Sequence, residues 1–153
     1  MTIKEEICKA SQQLLASRIE HLKLKAADLF NSAANETKST AGDKHETALA
    51  LLQIEQENTR QQLRVLEEQQ VLLEKIDPQI HTNEVRFGTV VQTTKGIYFI
   101  SCALGKVVFE NISFTAISLQ SPLGMALAGK KKGADISING NLHEIIAIDM
   151  INF

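Results

Sequence analysis

Asn35-Glu36-Thr37-Lys38-Ser39-Thr40-Ala41-Gly42-Asp43-Lys44-His45-Glu46 is a polar, glycine-containing break between two long stretches of helical periodicity. Two helices of similar length joined by such a break predict an antiparallel hairpin whose tip, near residues 35–47, is acidic. Helices of about 30 residues would run roughly 45 Å at 1.5 Å per residue, longer than the packing of an ordinary small domain requires. The tip is therefore the first place to look for function.

Outward from the break, each arm carries an apolar stripe. Leu15, Ile19, Leu22, Ala26, Leu29 and Ala33 step by four and three, which is coiled-coil spacing. Upstream, Ile3, Ile7, Ala10 and Leu14 form an offset stripe, as a straight helix drifting against a heptad would produce. The second arm shows Leu52, Leu63, Leu66 and Leu73, with Gln56, Thr59 and Gln70 at the intervening seam positions. A second row, Ile54, Val65, Leu72 and Ile76, is expected to widen its apolar face. Helices this polar are marginal alone, so the hairpin is expected to close on itself. Asp77-Pro78 ends the second helix, because a proline disfavours the helical region for the residue before it and has no amide hydrogen to donate.

From Val85 the period changes to two. Phe87, Thr89 and Val91 lead to the turn-like Thr93-Thr94-Lys95-Gly96, and Ile97 to Cys102 resumes a β-rich run. Leu104-Gly105-Lys106 reads as the next turn, before strands at Val107 to Phe109 and Phe114 to Ser118. Ser121-Pro122 can open a short helix as N-cap and first helical residue, with Gly129 as its stop. Asn139-Gly140 joins strands Asp135 to Ile138 and Leu142 to Ile151, a strong short hairpin signal. The expected fold class is α+β: a coiled-coil hairpin over residues 1–78, then a small antiparallel β domain with one short helix over 85–153.

Composition excludes several functions. The chain has 153 residues, with 16 Lys and Arg against 18 Asp and Glu, so no net basic field argues for binding free DNA or RNA. A protein partner is the expectation. Cys8 and Cys102 fall in different predicted elements, which suits two reduced thiols in a cytoplasmic protein. No apolar stretch approaches the length of a membrane span. His21, His45, His81 and His143 lack metal-ligand spacing, and no nucleophile and base are paired by motif. Gly129-Lys130-Lys131-Lys132-Gly133 has its glycines too close for a phosphate loop and reads as a basic turn.

At the tip, Asp43-Lys44-His45-Glu46 admits two readings. It has the capping-box pattern, in which Asp43 caps the second helix and Glu46 reaches back. Alternatively, Asp43 and Glu46, one turn apart, offer two hard oxygen ligands on one face at the end of an arm.

Phe114-Thr-Ala-Ile-Ser-Leu-Gln-Ser-Pro-Leu-Gly-Met-Ala-Leu-Ala-Gly-Lys-Lys-Lys-Gly133 resembles the Ser-Pro-hydrophobic-Gly, Leu, Gly-Lys-Lys segment of the GreA/GreB transcript cleavage factors. The resemblance extends along the chain, since those factors join an N-terminal antiparallel coiled coil to an FKBP-like C-terminal domain. Their tip carries Gly-Asp-x-x-Glu-Asn, and Gly42-Asp43-Lys44-His45-Glu46-Thr47 lies where it belongs. Thr47, Lys44 and His45 depart from the usual tip, and Gly133-Ala134-Asp135 departs from the family's Gly-Asp.

What the resemblance implies is specific. Gre factors bind bacterial RNA polymerase through the globular domain at the rim of the secondary channel, and thread the coiled coil toward the active centre. Tip carboxylates there help hold a Mg²⁺ shared with polymerase, which then cleaves the 3′ end of a backtracked RNA. Asp43 and Glu46 are accordingly the expected catalytic and metal-binding residues. Ser121, Pro122, Leu123, Gly124, Gly129 and Lys130 are the expected partner-binding residues. No tightly bound cofactor and no free-standing enzymatic activity are expected, and RNA is met only within the complex. A Gre-like modulator or inhibitor without cleavage activity, or a coiled-coil interaction module, are the alternatives.

Overall fold

Thr2 starts the first helix: its Oγ1 accepts a hydrogen bond from the Glu5 amide at 3.2 Å, and its carbonyl accepts one from the Glu6 amide. Glu5 and Glu6 also place negative charge where the helix dipole favours it. In the computed structural model, which describes residues 1–37 and 43–152 and gives only the backbone for Thr37 and residues 43–45, helix α1 runs Ile3–Thr37 and helix α2 runs Asp43–Glu74. Beyond Glu74 the chain tightens, with Lys75 and Ile76 amides bonding the Leu72 and Leu73 carbonyls. The Asp77-Pro78 turn follows, with the Gln79 amide on Asp77 Oδ1.

The chain forms two compact units, one comprising residues 15–70 and the other residues 1–14 with 71–153. In the first unit the helices are antiparallel: Lys25 meets Glu55 at 3.6 Å, and Gln56 Nε2 reaches the Leu29 carbonyl at 3.5 Å. Leu15 and Ile19 are buried in the seam, while Leu22, Ala26, Leu29 and Ala33 are half-buried. Opposite them, Leu52, Leu63 and Leu66 are half-buried and Thr59 is fully buried. Of the expected second row, Ile54 and Val65 lie in this unit and are exposed, while Leu72, exposed, and Ile76, half-buried, belong to the other unit. Two helices offer each other one seam, and a wider apolar stripe has no third element to cover it within this unit.

In the second unit a six-stranded sheet has the order β3-β4-β2-β1-β6-β5. The strands are β1 Val90–Thr93, β2 Gly96–Ile100, β3 Gly105–Phe109, β4 Ile112–Ile117, β5 Asp135–Ile138 and β6 Asn141–Ile148, with helix α3 at Pro122–Leu127. Asn139 and Gly140, at φ 52° and 80°, form the tight turn that the sequence predicts between β5 and β6. Thr94-Lys95 likewise closes β1 on β2.

The sheet is antiparallel except at one place. β2 pairs with β4 in parallel, Tyr98 opposite Thr115 and Ile100 opposite Ile117. β3 does not follow β2 as a hairpin partner; it lies at the edge and returns the chain so that β4 inserts beside β2. Gly105 therefore begins a strand instead of sitting in a turn, and residues 85–89 form turns ahead of β1 rather than a strand. One core, built around Val85, Val91, Ile100, Leu127, Ile145 and Ile148, is closed by the α3 side chains Leu123 and Ala126. Complete burial of a leucine such as Leu127 contributes about 1.5–3 kcal/mol. No helix among the described residues is long and apolar enough to cross a membrane.

Candidate functional site

Asp43 is the first residue of α2, so Asp43 and Glu46 share the first helical turn, three residues apart. Glu46 is exposed. The side chain of Asp43, and with it the choice between capping and ligand, lies outside the described residues, as do Gly42 and the side chains of Lys44 and His45. Carboxylates at this position are favoured by the helix dipole. Among the described residues no three His, Cys, Asp or Glu come together to hold a metal.

The second candidate region is built by α3. Ser121 is its N-cap: Oγ accepts from the Gly124 amide at 3.0 Å and donates to the Ser118 carbonyl at 2.8 Å. Pro122 follows at the first helical position, where no amide hydrogen is needed. Gly124 is buried so tightly that a Cβ there would sit 2.0 Å from the Ser118 carbonyl oxygen. Gly129 adopts φ 75° and donates its amide to the Val85 carbonyl, while the Lys130 carbonyl accepts from the Val85 amide. Five of the six expected partner-binding residues thus have a structural reason for their identity: Ser121, Pro122, Leu123, Gly124 and Gly129.

Of the six, Pro122, Gly129 and Lys130 are exposed. They are joined by Met125, 62% exposed and three residues after Pro122 on the same helix. Sequence reading passed over Met125; its i+3 spacing from Pro122 was the signal that could have found it. Lys131 and Lys132 are also exposed on a turn braced by the Glu84–Lys131 backbone bridge.

A few other titratable groups are held in the interior. His143 is buried against Thr93, with Nδ1 3.0 Å from Oγ1, and meets the Tyr98 ring edge-on at 5.8 Å. Burial first, and Lys95 second, lower its pKa, so it is a neutral interior imidazole at pH 7. Burial also raises the Tyr98 phenol and the Cys102 thiol. Cys8 and Cys102 are both buried, and neither is in a disulfide.

No family model and no curated protein matches the chain. Among solved structures, the crystal structure of GreA factor homolog 1 (Gfh1) of Thermus thermophilus is similar at 19% identity, over 92% of this chain and 95% of that one, with a TM-score of 0.39. A second structure, of the transcription factor Gfh1, is similar at 18% identity over 92% and 94%, also with a TM-score of 0.39. Likeness at that level carries no argument about family or function.

Proposed function

We propose that the chain is a Gre-like factor that binds bacterial RNA polymerase at its secondary channel and stimulates cleavage of backtracked RNA. The observation that carries this reading is the placement of Asp43 and Glu46 in one turn at the start of α2, where the hairpin's two long helices join. The resemblance of residues 114–133 to the Gre segment supports it from the other half of the chain.

Two carboxylates are hard oxygen donors of the kind Mg²⁺ prefers, so the residues present fit the ion. They are too few to complete its shell, which makes the ion one shared with polymerase. When bound, Mg²⁺ supplies charge neutralisation at the phosphate and acidifies a coordinated water. Asp43 and Glu46 orient the attacking water by accepting its hydrogen bonds, and the hairpin positions them; the chain alone hydrolyses nothing. Pro122, Met125 and Lys130 provide exposed contacts for docking.

The test is cleavage by stalled, backtracked complexes across a Mg²⁺ series. Wild type accelerates cleavage; Asp43→Asn and Glu46→Gln keep polymerase binding and lose most of the acceleration, with partial rescue at high Mg²⁺. Asn still offers a capping oxygen, so a helix-stability effect is separated from a chemical one. Unchanged cleavage in both variants rejects the catalytic tip. Lys44, His45 and Thr47, which depart from the Gre pattern, favour a second reading in which the factor occupies the channel without stimulating cleavage. Wild type that binds polymerase and never accelerates cleavage selects that reading.

A further inference from the structure

A cavity of about 150 Å³ lies between the end of α2 and the loop preceding β1, lined on its polar side by Lys4, Lys75, Thr82, Arg86 and Thr89. We propose that it binds a small phosphate-type oxyanion. Lys4 carries the argument furthest. Its side chain is 4% exposed, and its ammonium bonds the Ile80 carbonyl at 2.6 Å and Asp149 Oδ2 at 3.1 Å. An ammonium has three donors, and no third partner is found among the described residues. A buried donor left without an acceptor is unfavourable, so the cavity that Lys4 lines is where an acceptor belongs.

Two further cations flank the opening. Lys75 and Arg86 are exposed, and Arg86 is held only weakly by Glu84, at 3.8 Å with both side chains largely solvated. The planar guanidinium suits the paired oxygens of a phosphate. Thr82 Oγ1 donates to the Glu84 carbonyl at 2.9 Å, and Thr89 Oγ1, 3.4 Å from it, accepts from the Arg86 amide and can turn its own proton toward a ligand. Asp77 also lines the cavity, with Oδ1 engaged by the Gln79 amide. Asp149 balances Lys4, and Asp77 and Glu84 balance the two flanking cations, so the site is close to neutral and an oxyanion is held there by directed donors instead of by net charge. Such a site takes a small anion with affinity on the order of millimolar, and the volume admits one phosphate group together with a water or two.

The experiment titrates the full-length protein with inorganic phosphate and, separately, with pyrophosphate at constant ionic strength, following ³¹P line width and melting temperature. Lys75→Gln/Arg86→Gln is the comparison, because both residues are exposed and their replacement leaves the fold intact. Wild type shows a saturable response, and the double variant binds about tenfold or more weakly, as loss of charge-assisted hydrogen bonds requires. Equal affinity for the two ligands assigns the site to free phosphate, and tighter pyrophosphate binding assigns it to the phosphate end of a larger ligand. Identical responses in wild type and variant, as general salting of the folded state would give, overturn the site. So does the lack of any saturable response.

Discussion

Lys4, in the first turn of α1, meets Asp149, at the end of β6, at 3.1 Å, with side chains 4% and 0% exposed. Asp149 uses both oxygens: Oδ1 accepts from the Val90 amide at 2.9 Å and Oδ2 from the Thr82 amide at 2.8 Å. One carboxylate therefore ties the start of α1, the loop before β1, β1 itself and the C-terminal segment into one unit. It does so from φ 62°, a conformation in which Asp is among the better tolerated side chains.

Removing one member of a buried ion pair strands the other. Lys4→Met is expected to destabilise by about 3 kcal/mol, and Lys4→Met/Asp149→Asn by less than the sum of the single changes. Urea unfolding of the four proteins in the cycle checks this; strict additivity would show that the pair is not coupled. The same geometry bears on fragments, because a piece spanning 85–153 retains Asp149 and loses Lys4. Docking is better mapped with the intact chain.

Gly124→Ala is expected to destabilise by about 3 kcal/mol or more, since the new methyl carbon collides with a backbone carbonyl that cannot swing away. Met125→Ala, one residue on and exposed, should leave the melting temperature within a degree or two while weakening docking to polymerase. Thermal melts distinguish the structural residue from the surface one. A tolerated Gly124→Ala would contradict the packing described for α3.

Thr59 is 1% exposed in the helical seam, and its Oγ1 has no hydrogen-bond partner among the described residues. Valine has the same shape without the hydroxyl. Thr59→Val is expected to stabilise the hairpin by about 1 kcal/mol, the sign opposite to most core substitutions. Denaturant midpoints read it, and a destabilised variant would mean that the hydroxyl is satisfied.

Cys8 is pushed up to about 11 from 9.0, by burial first; Lys4 opposes the shift, and Asp149, Asp77 and Glu5 add to it. The folded state thus holds its thiol proton to higher pH than the unfolded state does. Its contribution to stability is complete below pH 9 and declines as pH rises from 9 toward 11. Wild type should therefore lose stability over that window more steeply than Cys8→Ala, measured as the difference in unfolding free energy at each pH. Alkylation of native Cys8 at pH 8 should be slow and should speed up on unfolding, because only the thiolate reacts.

Much of this molecule was legible from local sequence. Apolar residues at three and four spacing establish both helices, Asp77-Pro78 marks where the second one gives out, Ser121-Pro122 opens α3, and Asn139-Gly140 turns β5 into β6. Each is a matter of backbone preference within a few residues, so the chain states it directly. The carboxylate pair of the tip was visible for the same reason, as a spacing of three at a helix start.

Tertiary structure alone decided the rest. No local signal makes β4 a parallel neighbour of β2, because that pairing depends on β3 taking the edge. Exposure of Ile54 and Val65 follows from how many elements are available to cover a face, which periodicity cannot count. Nor does the sequence join Lys4 to Asp149: a buried charge chooses its partner by where the folded backbone brings the opposite charge within reach. That meeting exists only once the first and last elements of the chain share one core.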